Sequence, residues 1–214
     1  MVNNLRIYKN FNLSKKDKGA IILIGNFDGL HKGHQKLFNK AKGFKKKFKL
    51  KIGVITFDPI PKMFFKQLYN YRLSNFDQKI QLFKKNYVDF IVNQKFNIRF
   101  SKISCHDFIK KILFYKIKPK YIFVSDNFRF GYKRAGDIKL LKSLEKDYDY
   151  KIINPSPLKS KKFIISSTLI RKNLEMGNLK KVKKFLGRNW CIEGKVEKVD
   201  SLIKKLDSQH VTLI

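Results

Sequence analysis

Cysteine is scarce in this sequence: Cys105 and Cys191 are the only two, far apart and without a C-x-x-C spacing. That excludes a disulfide framework and points to a reducing compartment. No apolar run approaches the roughly eighteen residues that a membrane-spanning helix needs. The stretch from Met1 to Lys18 is polar and has no hydrophobic segment of the secretory kind. The expected location is therefore cytoplasmic, with no membrane partner. Acidic residues are few as well, 16 against 49 Lys and Arg, for a net charge of +33. Such an excess is the usual footprint of nucleic-acid binding. Here, however, 42 of the cations are Lys, spread along the whole chain, and alanine is almost absent while Lys, Asn, Ile and Phe abound. That pattern fits A+T-rich codons, so no specific nucleic acid is expected. The basic field should still attract anionic nucleotides as a salt-sensitive rate effect.

What is present is enough apolar residue to build a core. At 214 residues, with 43% hydrophobic and 14% aromatic residues, the chain suits one globular domain with a small appendage. Strand patterns at Ala20–Ile24, Lys51–Phe57, Val88–Val92, Tyr121–Val124 and Tyr150–Ile153 alternate with helical ones. The helical stretches are the run after His34, Asn75–Asn86 (capped by Ser74 or Asn75), Ser104–Leu113 and Asp137–Lys146. This alternation predicts an α/β fold, a parallel sheet with helices on both faces. Ligands in such folds sit beyond the carboxyl ends of the strands.

The first chemical constellation stands at such an end. Ala20–Ile24 breaks into Gly25-Asn-Phe-Asp-Gly-Leu-His-Lys-Gly-His34 and then enters a helix carrying Leu37, Phe38, Ala41, Phe44 and Phe48. Gly29 and Gly33 allow close backbone approach. His31 and His34 fall at a helix N-terminus, where free N–H groups favour an anion and two imidazoles can donate to phosphate oxygens. Taken alone, H-x-G-H also reads as a turn with two solvated histidines or as half of a zinc site. The other candidate ligands, Cys105, His106, Cys191 and His210, lack metal spacing, so no metal site is expected in the protein itself.

Two further stretches lie on the same rim. Ser125-Asp-Asn-Phe-Arg-Phe-Gly-Tyr-Lys-Arg-Ala-Gly-Asp137 follows a strand and reads either as a loop over a nucleotide or as a polar loop with two core phenylalanines. Ile165-Ser-Ser-Thr-Leu-Ile-Arg171 supplies three hydroxyls at a helix start and an arginine one turn in, close enough to share a phosphate. Its plainer reading makes Ser167 the N-cap and Arg171 a surface residue. Where Lys is the default cation, an Arg marks a place that needs a planar fork. Arg129, Arg134, Arg171 and Arg188 fall inside the motifs, while Arg6, Arg72 and Arg99 do not.

In order and composition the three motifs resemble those of the adenylyltransferase module of bacterial FAD synthetases, members of the H-x-G-H nucleotidyltransferase superfamily. Phe57-Asp-Pro-Ile-Pro61 is similar to a further family motif, and the likeness runs from Leu5 to about Val196. The resemblance implies a Rossmann-like nucleotidyltransferase fold and the reaction FMN + ATP → FAD + pyrophosphate, with Mg²⁺ on the triphosphate. It implies that His31 and His34 serve the reacting phosphates, with Arg171 and with Gly25, Phe27, Gly33, Ser166, Ser167 and Thr168 binding ATP. Phe57, Pro59, Pro61, Asn127, Phe128 and Arg129 would bind the flavin. One departure is Ile164, where several family members carry a basic residue. Bacterial relatives continue into a riboflavin kinase domain with a Pro-Thr-Ala-Asn motif that is missing here. The expected division is therefore an adenylyltransferase domain over 1–186 and, over 187–214, a truncated start of the kinase domain or a tail, with no kinase activity. Competing readings are another H-x-G-H transferase, for pantetheine phosphate or a cytidylyl group, and an inactive copy binding nucleotides or nucleic acid through its charge.

Overall fold

The computed structural model describes residues 5–69 and 71–193. In chain order the elements are β1 (Arg6–Tyr8), β2 (Ile21–Ile24), α1 (Lys32–Phe48), β3 (Ile52–Asp58), α2 (Pro61–Lys66), α3 (Phe76–Lys85), β4 (Phe90–Lys95) and α4 (Ile98–Ser101). Then come α5 (Cys105–Asp107), which continues through Phe108–Ile117, β5 (Tyr121–Phe123), α6 (Ile138–Ser143), β6 (Lys151–Ile153), β7 (Lys159–Ser160), β8 (Phe163–Ile164), α7 (Ser167–Glu175) and α8 (Leu179–Leu186).

Strands β1 to β6 form one parallel sheet in the order β1-β4-β3-β2-β5-β6. The chain builds outward from β2 in one direction through β3 and β4, then returns to build β5 and β6 on the other side. The crevice where the direction reverses, between β2 and β5, is the ligand-binding place in sheets of this kind. Burial of β2 is complete, Ile21 to Ile24 being at most 2% exposed, which is why an unbroken Ile/Leu run forms the central strand. Ile22, Ile24, Ile55 and Val92 point into a core shared with the Phe108–Ile117 helix and α6, whereas Ile21, Leu23, Val54 and Ile91 point into one shared with α1 and α3. Phe38 and Phe83, both fully buried, stack at 5.8 Å where α1 meets α3. Burial of each such ring stabilises the fold by about 2–3 kcal/mol.

The caps explain several helix starts. Asn75 begins α3 with a reciprocal bond pair to Gln78, and Pro61 occupies the first turn of α2, where its missing N–H costs nothing. The Phe108–Ile117 stretch is wound wider than an α-helix, so that the Lys118 N–H donates to Leu113 O at 2.7 Å. Strand β1, helices α2 and α4 and the β7–β8 hairpin add to the elements that the sequence predicts. Two predicted details are corrected. Ser166, not Ser167, caps α7 by accepting from the Leu169 N–H at 3.2 Å. A Cβ on Gly29 would meet the Leu73 side chain at 2.9 Å, so this glycine serves packing and not ligand approach.

Helices α7 and α8 pack through Ile170, Val182, Phe185 and Leu186 against Leu73. Helix α8 ends at Leu186. Residues 187–193 fold back on the body, where Arg188 donates to Gly29 O at 2.8 Å and Trp190 to Leu73 O at 2.9 Å. The remainder of the expected tail, 194–214, lies outside the described residues.

Candidate active site

A cleft of about 960 Å³ opens at the carboxyl ends of the central strands. It is lined by Gly25, Phe27, Asp28, His31, Gly33 and His34, and beside them by Ser166, Ser167, Thr168 and Arg171. The three motifs, scattered over 150 residues of sequence, thus share one wall-to-wall space because β2, β5 and the segment before α7 end at the same rim.

His31 caps α1, its Nδ1 accepting from the His34 N–H at 3.3 Å. With Nδ1 used as acceptor, the neutral ring carries its proton on Nε2. The two imidazoles stack with centroids 3.7 Å apart, and the edge of Phe27 closes against His34 at 5.2 Å. Gly33 is required for this stack, since a Cβ there would lie 3.0 Å from His31 Nδ1 and 3.1 Å from Ile165 O. Burial, reinforced by the charges of Arg171 and Arg188, pushes His31 down to about 4. His34 is lowered well below the ordinary value, mainly by burial and then by His31 and Lys79. Both rings are therefore neutral near pH 7 and act as hydrogen-bond donors without a charge of their own.

Asp28 ties the two loops together. Its carboxylate accepts from the Leu73 and Ser74 N–H groups at 2.9 and 3.3 Å and pairs with Arg171, while its carbonyl accepts from Ser167 Oγ at 2.9 Å. Arg171 also donates from Nε to Tyr71 O at 2.7 Å, and its guanidinium carbon lies 3.6 Å above the Tyr71 ring. Two of its three nitrogens are held by the protein, which orients the fork and makes it part of the cleft wall rather than a free surface side chain. The hydroxyls of Ser166 and Ser167 are likewise engaged, so an anion at this helix start would meet chiefly the free N–H groups of the first turn of α7 and the Thr168 side chain.

At the other end the cleft is aromatic. Phe57, Pro61, Asn127, Phe128 and Arg129 all line it, but Pro59 does not; Ile60 takes the place expected of that proline. Phe128 stacks on Phe130 at 5.5 Å, and Arg129 pairs with Asp137 at 2.7 Å. Phe65, Phe96, Phe100 and Tyr132 join this wall, with Phe65 against Phe96 at 5.7 Å and Phe96 against Phe100 at 5.8 Å. None of these four carries a signal in a sequence with 20 phenylalanines and nine tyrosines. Asp28 and Tyr71 were missed too, although Asp28 stands inside the first motif. Among the described residues no three His, Cys, Asp or Glu side chains converge to hold a metal ion, and His210 lies outside them.

A doubly wound parallel sheet with two helix N-termini side by side at the carboxyl ends of its central strands is a Rossmann-like arrangement. The FAD synthetase family profile matches residues 13–169, and the chain belongs to that family. It is 39% identical over 186 residues to the bifunctional riboflavin kinase/FMN adenylyltransferase of Buchnera aphidicola subsp. Acyrthosiphon pisum, covering 86% of this chain and 59% of that protein. Its counterpart in Escherichia coli K12 is 32% identical over 193 residues, 89% of this chain and 62% of that protein. The FAD synthetase of Listeria monocytogenes is 31% identical over 186 residues, 86% of this chain and 75% of that protein. The chain thus spans about three-fifths of the bifunctional relatives. Among solved structures, a Streptococcus pneumoniae protein titled macrolide-efflux protein superposes with a TM-score of 0.77 at 25% identity, over 98% of this chain and 69% of that one. Pantoate-beta-alanine ligase from Francisella tularensis superposes at 0.50 with 18% identity, over 92% and 90%, a likeness of fold. No helix of the described residues is long and apolar enough to cross a membrane.

Proposed function

We propose that this chain transfers the AMP moiety of ATP to the phosphate of FMN, giving FAD and pyrophosphate. The observation that carries the reading is the convergence, in one cleft, of a neutral stacked histidine pair at one helix N-terminus, a second helix N-terminus with Arg171, and an aromatic wall. Membership of the FAD synthetase family supports flavin and adenine nucleotide as the pair of substrates.

In this reaction an FMN phosphate oxygen attacks the α-phosphorus in line, the bond to the bridging oxygen breaks, and its electron pair leaves with pyrophosphate. No protein nucleophile is needed, so catalysis consists of positioning and of stabilising charge on the α-phosphate and the leaving group. The His31 Nε2–H and the first-turn N–H groups of α1 donate to the reacting phosphate. Thr168, Arg171 and the first turn of α7 hold the distal phosphates, while Phe57, Pro61 and Phe128 hold the isoalloxazine ring, with Asn127 and Arg129 at its polar edge. Mg²⁺ would enter with ATP, bound mainly by the substrate phosphates, since the Asp28 carboxylate is already taken by Arg171, Leu73 and Ser74.

The test is a chromatographic assay of purified protein with FMN, ATP and Mg²⁺, following FAD. The unaltered chain is expected to form FAD and to lose it with EDTA, and His31→Ala to slow it by about 10²–10³-fold, the size of one lost oxyanion donor. Folded protein that forms no FAD, yet binds duplex DNA tightly with a steep salt dependence, would replace this reading by the charge-driven one.

A further inference from the structure

Of the 42 lysines in the sequence, Lys79 is the only one that is buried among the described residues, 6% exposed on the face of α3 turned to the sheet. Its ammonium donates to Asn26 O at 3.3 Å and to Thr56 Oγ1 at 3.2 Å, and Thr56 Oγ1 itself donates to Asn26 O at 3.3 Å. It takes part in none of the ion pairs among the described residues. A buried ammonium whose direct partners are neutral oxygens is costly to keep, and the nearby carboxylates offset only part of the water it has lost. Asn26 stands between this charge and the cleft, since the backbone that accepts from Lys79 belongs to a residue that lines the cleft. Two polar atoms on the same turn and helix start, Asn26 Oδ1 and His34 Nδ1, are buried without a partner. Next to residues that line the cleft the protein thus holds a buried ammonium without an ion-pair partner and two buried polar atoms that lack a contact.

We propose that Lys79 is a positioning residue for the nucleotide, holding the Gly25–Phe27 turn through Asn26 and Thr56 and supplying, from behind that turn, a charge that the phosphates of ATP neutralise. This deepens the adenylyltransferase reading and rests on it. The charged groups around Lys79 are the Asp28 and Asp58 carboxylates, which favour the ammonium, and Arg72, which opposes it; His34 faces it from α1. Burial outweighs them all and brings Lys79 down to about 8. At pH 8 about half of the free molecules therefore carry a neutral amine. A bound polyanion favours the ammonium, so nucleotide binding takes up as much as about half a proton at pH 8 and almost none at pH 6.5, where the amine is already protonated.

The experiment is calorimetric titration with an ATP analogue bearing a methylene bridge between the α and β phosphates, with Mg²⁺, in two buffers of different ionisation enthalpy. The unaltered chain, Lys79→Arg and Lys79→Met are compared. Proton uptake at pH 8 is expected from the unaltered chain and from neither variant. Lys79→Arg should keep affinity within a few-fold, and Lys79→Met should lose about tenfold, the scale of one unit charge acting through a partly screened interior. Uptake at pH 8 that is equal in all three proteins, or absent from the unaltered chain, would overturn the proposal even if FAD is formed. If Lys79→Met does not fold, Lys79→Arg decides the matter, since it keeps the charge and removes the titration. A chain that neither binds the analogue nor makes FAD would overturn the underlying reading as well.

Discussion

Removing the Asp28 carboxylate unties three segments at once: Arg171 loses its counter-ion, and the Leu73 and Ser74 N–H groups lose their acceptor. Because both charges of the pair are largely buried, at 4% and 14% side-chain exposure, Asp28→Ala is expected to cost about 3–5 kcal/mol, read from urea unfolding. Arg171→Lys tests the fork itself, since a lysine cannot serve Asp28 and Tyr71 O together; a variant as active and as stable as the parent would show that a point charge is enough. The histidine pair makes a prediction in pH. Both rings are neutral in the folded state with lowered proton affinity, and in the unfolded chain they protonate near 6.5, so stability is complete above that value and declines as pH falls towards about 4. The slope is at most about 1.4 kcal/mol per pH unit for each histidine. Denaturation midpoints between pH 7 and 4.5 check it, and His31→Gln should make the decline shallower.

At the level of the element, Gly53 is a notch in β3. It pairs with Ile22 on β2 and Phe90 on β4, and a Cβ there would lie 2.2 Å from the fully buried Phe90 ring. Gly53→Ala is expected to cost about 1–3 kcal/mol by overpacking. Phe90→Leu in the same chain should recover part of that, and strictly additive losses in the two variants would mean that the ring is not the obstacle. The strands and helices with long apolar patterns were legible in the sequence, because period and capping are local properties. Strand β1 was not, for its three residues Arg6, Ile7 and Tyr8 form an edge with Ile7 45% exposed and no run to recognise. Neither were the two-residue strands of the β7–β8 hairpin, nor the strand order, which depends on pairings between distant segments. In the cleft, His31, His34 and the Ser166–Arg171 stretch were singled out by the resemblance of their motifs to a known family, since spacing alone left a turn with two solvated histidines and an ordinary capped helix equally open. Lys79 could not, being one lysine among 42, and burial alone distinguishes it. Pro59 lies in the right motif yet off the cleft, since a motif fixes residue types but not which way each one faces.

For the whole molecule the governing property is the charge of +33. A field of that sign speeds the encounter with anionic substrates without adding a contact, so kcat/KM for ATP is expected to fall as NaCl rises from 50 to 500 mM while kcat stays nearly constant. Stopped-flow binding of a fluorescent ATP analogue would separate the two: a salt-independent association rate would mean that the lysines have no part in capture. The same fold also carries its own optical gauge. Trp190 is the single tryptophan of the chain, and its indole N–H is bound to the carbonyl of Leu73, whose own N–H is bound to the Asp28 carboxylate. That indole is therefore linked through the single residue Leu73 to the loop that carries Asp28 on the cleft wall. Filling the cleft with nucleotide should shift the wavelength or intensity of the indole emission, allowing occupancy to be followed in unlabelled protein.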